Sequence, residues 1–342
     1  MIYRIKNAFL PRGQYEQAIL KTLEMYCNNE DLTNSPLVIW GRNALKRGEW
    51  WYCDGTLGPD IEIFIQQRQK QVIDLFNSIR EKGYDGSVIT VYFDRNGYIH
   101  TYDGYHRLCI TKYLNMEVDL NIEISNIDPD PAKRGDFPLV ETLIAANKGR
   151  NTYTPVLDDR VKDFTIWRPD SPKRLEFILS NIKGKTVLDI GCAEGFFSLE
   201  LAKRCYEVTA LDSSSLYIAI TRYLSMINNL KVSCELGTWQ EYLNKTEHFD
   251  NILFLSVFHH SILSNGLDHA FKQLQRFNRK ADRIFFETPL SAQDISWLDE
   301  GRGTSGNFSF TEEEFKSKLK ETDFKVKKVW YGIRPLFLLE TK

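Results

Sequence analysis

The chain has 342 residues, of which 42% are hydrophobic and 26% charged, and its formal net charge is −2. This composition is ordinary for a globular protein and excludes disordered, collagen-like and coiled-coil classes. At roughly 150 residues per domain, the length predicts two domains. The apolar runs fall far short of the roughly 20 residues that cross a bilayer, and the start shows no secretory signal. We therefore expect a cytoplasmic protein without a membrane partner.

Charge and cysteine content restrict the partners further. The chain carries 18 basic and 20 acidic residues up to Arg150 and 26 of each after it, so neither half has the positive excess of a general binder of nucleic-acid backbones. The six cysteines form no C-x-x-C pair and no cluster with histidine. We expect free thiols and no metal site.

Residues 127–171 are rich in proline and charge and mark a domain boundary. We place it near residue 150, which gives domains 1–150 and 151–342. Residues 151–170 should pack on the second domain, because three apolar side chains in this stretch are costly to leave in water: Phe164, Ile166 and Trp167.

The first domain is predicted to be small and α+β. Its segments alternate between a helical apolar stripe and runs of β-branched and aromatic residues. Asn96-Gly97 is a strong signal for a tight hairpin turn. In chain order we predict a helix over 61–82, strands over 87–93 and 98–102 around that turn, a helix from about 103 to 114, and a strand over 117–124.

Strands and helices alternate in the second domain, which predicts an α/β fold with a mainly parallel sheet covered on both faces. Ser171 and Pro172 are the predicted N-cap and first helical residue of a helix that ends near Ile182. The last two strands are too close for a crossover helix, so the final strand should enter antiparallel, as a hairpin. The predicted strands cover 186–190, 207–211, 231–236, 251–255, 283–287, 325–330 and 335–340.

The most informative motif is a strand, a glycine-containing turn and a helix start over Val187–Phe197. A turn of this kind binds nucleotides in open α/β sheets, because glycine lets the backbone approach a ligand and the helix start offers free N–H groups. Asp189 would repel a pyrophosphate and attract a cationic amino-acid group. Asp212 follows Gly191 by 21 residues, where an acid accepts hydrogen bonds from both ribose hydroxyls. The two acids predict an adenosyl ligand with a positively charged tail.

These motifs resemble those of the class I S-adenosylmethionine-dependent methyltransferases over about residues 172–342. DIGCAEG is similar to the first motif of that family, LDSS to its ribose-binding acid, and HFDNILFLSVFHH to its fourth-strand motif. The resemblance implies a Rossmann-like sheet of seven strands with an antiparallel terminal hairpin, and S-adenosyl-L-methionine as cofactor. Ala193 stands at the middle glycine of the commonest form of the first motif. The cofactor-binding residues that the resemblance implies are Asp189, Gly191, Cys192, Ala193 and Gly195 around the methionine part, Asp212 and Ser213 at the ribose, and Trp239 and Gln240 at the adenine.

Candidates for catalysis and acceptor binding follow the later strands. His259 and His260 end the fourth strand, and a neutral imidazole there can accept a proton from a hydroxyl acceptor. Glu287 ends the fifth strand and is a candidate helper base. A structural role is the alternative for all three, and a metal site formed by them is disfavoured. In the glycine-rich stretch 301–306, Arg302 is a candidate for binding an anionic group.

The turn Asp103-Gly104-Tyr105-His106-Arg107 resembles that of the ParB/sulfiredoxin-like fold, over about residues 60–125. In that fold the turn binds nucleotide phosphates, so the resemblance implies phosphate binding by Asp103, Gly104, His106 and Arg107. Tyr105 takes the place of the reactive cysteine of sulfiredoxins, and peroxide repair is therefore not expected. The alternative is a domain that only docks the acceptor or stiffens the enzyme.

Taken together, these patterns predict a methyltransferase that methylates a hydroxyl of a polar small molecule or saccharide, with or without a phosphate. The N/D-P-P-Y/F signature of amino-directed nucleic-acid methyltransferases is missing after the fourth strand, which disfavours DNA-adenine methylation. An RNA acceptor and a non-catalytic cofactor sensor are the alternatives. The oligomeric state stays open.

Overall fold

A computed structural model describes residues 2–5, 8, 10, 13–47, 61–86, 89–94, 96–101, 104–122, 137–246, 248–294, 308–322 and 324–341. The chain forms two compact units, Met1–Phe137 with Met226–Asn229, and Pro138–Ser225 with Leu230–Lys342. The division after Phe137 lies earlier in the chain than residue 150. No helix in the described part of the chain is long and apolar enough to cross a membrane.

In its described residues, the first unit combines a mixed four-stranded sheet with helices. Its elements are β1 (Ile2–Ile5), α1 (Gly13–Cys27), α2 (Pro36–Lys46), α3 (Ile61–Lys82), β2 (Ile89–Phe93), β3 (Ile99–Thr101), α4 (Tyr105–Tyr113) and β4 (Val118–Ile122). The strand order is β1-β4-β2-β3, with β2 parallel to β4 and the other pairs antiparallel. The predicted helix over 61–82 and the predicted hairpin are both present. Sequence reasoning missed α2, although Ser35 caps it and Pro36 begins it, which is a recognisable start signal.

The second unit is an α/β layer structure. Its elements are α5 (Leu139–Asn147), β5 (Asn151–Thr152), β6 (Thr165–Ile166), α6 (Ser171–Leu179), β7 (Thr186–Ile190), α7 (Phe196–Ala202), β8 (Glu207–Asp212), α8 (Ser215–Ile227), β9 (Val232–Leu236), α9 (Trp239–Lys245), β10 (Phe249–Leu255), α10 (Phe258–Asn265), α11 (Leu267–Leu274), β11 (Ala281–Glu287), α12 (Glu312–Lys320), β12 (Phe324–Tyr331) and β13 (Pro335–Thr341).

One sheet of seven strands forms the middle layer, in the order β12-β13-β11-β10-β7-β8-β9. The five strands from β11 to β9 are parallel, while β13 is antiparallel to both of its neighbours. The predicted α/β class with a mainly parallel sheet is therefore confirmed. Because β13 runs against β11, the turn between β12 and β13 lies at the edge where the parallel strands end.

The central strands are apolar on both faces because the sheet is covered on both sides. Phe254 of β10 shows the packing: its ring centroid lies 5.3 Å from that of Trp239, 5.0 Å from Phe277 and 5.6 Å from Phe286. These rings belong to a large buried cluster that joins the sheet to its covering helices. This cluster holds the strand ends in fixed positions.

Two local expectations are wrong. The N-cap of α6 is Asp170, and the Ser171 hydroxyl instead donates a hydrogen bond of 2.7 Å to the Arg168 carbonyl. Phe164 is buried as predicted, but Ile166 is 39% exposed and Trp167 49% exposed. Backbone pairing between β5 and β6 holds this segment in place without burying both side chains.

Phe254→Ala should lower the free energy of unfolding by about 3–5 kcal/mol, because the surrounding rings cannot fill the space of a lost phenyl group. Urea unfolding measures this loss. Leu236→Ala is the control, since Leu236 is 58% exposed and its truncation should change stability by no more than about 0.5 kcal/mol. Equal effects of the two changes would contradict the packing described above.

Candidate active site

A cavity of about 820 Å³ lies at the carboxyl ends of the parallel strands, and all of its described lining residues belong to the second unit. One side comes from the ends of β7, β8 and β10 and the start of α9. The other side comes from α10, residues 146–153, Trp167 and Arg334. Open α/β sheets bind ligands at this edge, where parallel strands end together.

The turn after β7 has a backbone that favours glycine. Gly191 has φ +71°, and a Cβ atom there would lie only 2.4 Å from Cγ2 of Val257. Gly195 has φ +85°, and its Cβ would lie 2.7 Å from Oγ1 of Thr221. Gly191 and Ala193 line the cavity, whereas Cys192 and Gly195 are buried and do not. The turn therefore approaches the cavity through its backbone.

Asp189 lies outside the cavity lining and is almost fully buried. Its carboxylate accepts a hydrogen bond of 2.6 Å from the Ser198 hydroxyl of α7. Burial raises the pKa of Asp189 to about 6, although this hydrogen bond opposes the shift. The described geometry gives Asp189 the role of fastening β7 to α7 instead of lining the ligand space.

Asp212 faces the cavity and is the sole carboxylate among the described lining residues. The backbone N–H groups of Ala193 and Ser214 donate hydrogen bonds of 3.1 and 2.8 Å to its two oxygens. Each oxygen keeps a second lone pair for a ligand. Burial raises the pKa of Asp212, and the backbone N–H groups oppose that shift. Ser213, beside it, also lines the cavity.

Trp239 and Gln240 begin α9 and line the same cavity. Trp239 is 6% exposed and packs against Phe254 and Phe277. Most of its indole therefore belongs to the core, and only a small part is available to a ligand. Gln240 is half-buried. Both lie on the side of Asp212 and the glycine turn.

His259 and His260 open the helix α10 directly after β10, and both line the cavity. Their ring centroids are 4.1 Å apart. Burial, His260 and the charge of Arg334 hold the pKa of His259 well below its usual value. His260 has an exposed surface, but its imidazole lies in the cavity wall, where hydration is restricted. This restriction and the charge of Arg334 lower the pKa of His260. Both imidazoles are therefore neutral at pH 7, and His260 is the accessible one.

Glu287 is a correction to the sequence analysis, because it is fully buried and does not line the cavity. It accepts hydrogen bonds of 2.7 and 2.9 Å from Arg168, and further ones from Arg174 and Ser256. Burial alone would raise the pKa of Glu287, but Arg174 and Arg168 bring it below its usual value. A carboxylate held ionised by two arginines and a serine has a structural role and is not a helper base.

Glu194, in the same glycine turn, binds the segment that precedes the sheet. Its carboxylate accepts hydrogen bonds of 2.8 Å from the Tyr153 N–H, 3.2 Å from the Thr154 N–H and 3.0 Å from the Thr154 hydroxyl. Tyr153 itself lines the cavity. The glycine turn and the opposite cavity wall are therefore joined by one buried carboxylate.

Sequence reasoning missed several residues of the second wall, including Lys148, Tyr153, Trp167 and Arg334. A signal for Arg334 did exist. An antiparallel final strand must begin at the edge where the parallel strands end, and Arg334 stands just before that strand. Among the described residues, no group of three or more His, Cys, Asp or Glu side chains is arranged to hold a metal ion.

Two predicted anion-binding residues, Asp103 and Arg302, lie outside the described residues. In the first unit, Gly104 caps α4 with φ +90°, and a Cβ there would lie 3.1 Å from Nη2 of Arg107. The Nε2 atom of His106 lies 2.6 Å from the Tyr15 hydroxyl. His106 is thus engaged by a neighbouring side chain, and phosphate binding at this turn stays a prediction.

Comparisons with known proteins find methyltransferases. Residues 187–281 match a family model described as a methyltransferase domain. The O-antigen chain terminator bifunctional methyltransferase/kinase WbdD of Escherichia coli is 30% identical over 139 residues, which are 37% of this chain and 20% of that protein. The ubiquinone biosynthesis O-methyltransferases of Pelagibacter ubique and Hydrogenovibrio crunogenus are 28% and 30% identical, over 39% and 45% of this chain and 50% and 58% of those proteins. A crystal structure of WbdD aligns with a TM-score of 0.48 and 21% identity, covering 59% of this chain and 46% of that one.

The chain therefore contains a methyltransferase domain, and the cofactor of that domain is S-adenosylmethionine, as predicted. The aligned part of the chain spans between 20% and 58% of the curated relatives' lengths.

Asp189→Asn should change how stability depends on pH. Burial raises the pKa of Asp189 from 3.8 to about 6, so between these values the folded protein holds a proton that the unfolded chain releases. The wild type should therefore lose about 3 kcal/mol relative to the variant as the pH rises from about 4 to about 7. Urea unfolding across this range measures the difference. Ser198→Ala should steepen the dependence, and parallel profiles for wild type and Asp189→Asn would contradict the assignment.

Proposed function

We propose that the chain transfers a methyl group from S-adenosylmethionine to an oxygen atom of a polar small molecule or saccharide. The observation that carries this proposal is a single cavity that is lined by the Gly191 turn, Asp212 and His260 together. A methyltransferase needs this convergence, because its catalysis depends mainly on holding donor and acceptor in line.

The donor side fits an adenosyl ligand. Asp212 keeps lone pairs that the two ribose hydroxyls can reach, and the backbone of Gly191 and Ala193 would lie along the methionine part. Gln240 and the small exposed part of Trp239 would border the adenine. When bound, the cofactor supplies a methyl group activated by a sulfonium. Cys192 and Gly195 would act by shaping the turn, since neither lines the cavity.

On the acceptor side, His260 is the proposed general base. Its imidazole is neutral at pH 7 and exposed to the cavity, so it can take the proton of a hydroxyl as the oxygen attacks. His259 is 3% exposed and would support its neighbour. Two relatives are named O-methyltransferases, which agrees with an oxygen acceptor.

The remaining wall suits a sugar. The cavity lining adds the half-exposed indole of Trp167 and three amide side chains, Asn147, Asn151 and Asn265. Amides can pair with hydroxyls as donors and as acceptors, while an indole face covers the apolar side of a sugar ring. One relative is named for the termination of a saccharide chain, the O-antigen.

RNA is the less favoured acceptor. Lys148 and Arg334 are the two Lys or Arg side chains among the described residues that line the cavity. Binding of a nucleic-acid backbone draws on a larger set of cations placed along a groove. A sensor without catalysis would not require a neutral histidine beside the donor site.

Asp212→Asn should weaken the binding of S-adenosylhomocysteine about tenfold to a hundredfold, since charge-assisted hydrogen bonds to both ribose hydroxyls are lost. Titration calorimetry on the full chain measures this. Asp268→Asn, a change of an exposed carboxylate on α11, is the matched control and should leave the affinity unchanged. If the wild type does not bind S-adenosylhomocysteine, the proposed function is wrong.

His260→Gln should lower the rate of methyl transfer about a hundredfold or more, which is the usual contribution of a general base, without weakening cofactor binding. The assay follows label from S-adenosylmethionine into a panel of saccharides, phosphorylated sugars and RNA. Salt-sensitive transfer to RNA, with no labelled saccharide, would replace the proposed acceptor by the alternative. A variant as fast as the wild type would remove His260 from catalysis.

A further inference from the structure

We infer that Arg334 recognises a carboxylate or phosphate group on the methyl acceptor, and this inference rests on the proposed function. Arg334 stands directly before β13 and lines the same cavity as His260, close enough for its charge to act on that imidazole. Its role would be to determine which acceptors bind and how they are oriented.

Arg334 differs from three other inward-facing arginines of the unit. Arg168 and Arg174 pair with Glu287, and Arg283 pairs with Glu340. By contrast, no carboxylate of the described residues pairs with the half-buried Arg334. Among the described residues, its guanidinium donates to three neutral oxygens: Ser256 Oγ at 2.9 Å, Tyr153 OH at 3.4 Å and the Asp294 carbonyl at 3.5 Å. A cation held away from bulk water and compensated only by neutral groups favours an anion beside it.

The charge of the whole cavity points the same way. Its described lining has two cationic side chains, Arg334 and Lys148, and one carboxylate, Asp212. S-adenosylmethionine adds a net positive charge, because its sulfonium and ammonium groups outnumber its carboxylate. With Asp212 at the ribose, the acceptor side of the loaded cavity has an excess of positive charge. An acceptor with an anionic group restores the balance.

The orientation of Arg334 is fixed from behind. The Ser256 hydroxyl donates its proton to the buried Glu287 carboxylate, so its lone pairs are left for Nη1 of Arg334 and Nη1 of Arg168. Ser256 also has φ +58°, a strained backbone conformation for a residue other than glycine. Ser256 and Glu287 are thus positioning residues that keep the guanidinium aimed into the cavity.

An anion at this position would also act on the proposed base. The charge of Arg334 contributes to lowering the pKa of His260. A bound anion offsets this charge, so the imidazole becomes more basic when such an acceptor is present. This coupling gives a second measurement that does not depend on enzyme activity.

The test uses the full chain saturated with S-adenosylhomocysteine and titrated, in separate calorimetric experiments, with inorganic phosphate and with malonate. One of the two anions should bind more tightly to the wild type, and we call it the preferred anion. Arg334→Gln should weaken its binding about tenfold or more, the usual loss when a charge-assisted contact is removed. Arg334→Lys should retain part of the affinity, and Arg204→Gln, a change of an exposed arginine just after α7, should retain all of it. The stronger of the two anions identifies the group that the acceptor carries.

A second readout follows the imidazole signals of His260 by NMR during a pH titration. The preferred anion should raise the pKa of His260 in the wild type and leave it unmoved in Arg334→Gln. Equal anion affinity in wild type and Arg334→Gln, or no binding of either anion at millimolar concentrations to a wild type that binds S-adenosylhomocysteine, overturns the inference and leaves the proposed function standing. If Arg334→Gln does not fold, Arg334→Lys decides: unchanged affinity and an unchanged shift of His260 contradict the role of the guanidinium.

Discussion

The second unit depends on a buried cluster of charges in which Arg168, Arg174, Asp170 and Glu287 compensate one another. Removing four charged groups from water is costly, and the cost is offset only when every charge is paired and well hydrogen-bonded. Arg168 meets this condition with two-pronged contacts to both Glu287 and Asp170. The ion pair between Arg168 and Glu287 joins the segment before α6 to the end of β11. Because of this joint, Tyr153 and Trp167 are held at the edge of the sheet, where they complete the cavity.

The same cluster separates residues that shape the site from residues that face a ligand. From its position at the end of the fifth strand, Glu287 is predicted to face the catalytic crevice. In the structure, two arginines instead occupy its carboxylate oxygens. Asp189 stands in the first motif, yet its carboxylate is directed to Ser198. A conspicuous acid in a motif can thus support the backbone that binds a ligand, while the neighbouring Asp212 keeps its lone pairs for the ligand.

Much of the second unit was predictable because its information is local. The strand at Thr186–Ile190 lies where the β-forming run predicted it, and the seven predicted strands all occur with ends shifted by no more than two residues. The donor side follows from this pattern, since the turn and Asp212 are placed by adjacent strands. Arg168 and Glu287, by contrast, are 119 residues apart in the chain. No periodicity encodes such a pairing, and the second wall of the cavity was therefore missed. In the first unit, helix α3 was found from its apolar stripe, whereas α1 and α2 were not.

Glu194 has a consequence for protein engineering. Glu194 belongs to the glycine turn of the donor side. Its carboxylate accepts hydrogen bonds from the backbone N–H groups of Tyr153 and Thr154 on the acceptor side. A shift of the glycine turn would therefore also move Tyr153 and Thr154, because their backbone N–H groups are bound to Glu194. Exchanging residues 151–154 to accommodate a different acceptor will therefore also disturb the glycine turn that is proposed to bind the donor. Acceptor specificity is better changed at Trp167, because its side chain takes no part in the hydrogen bonds of Glu194.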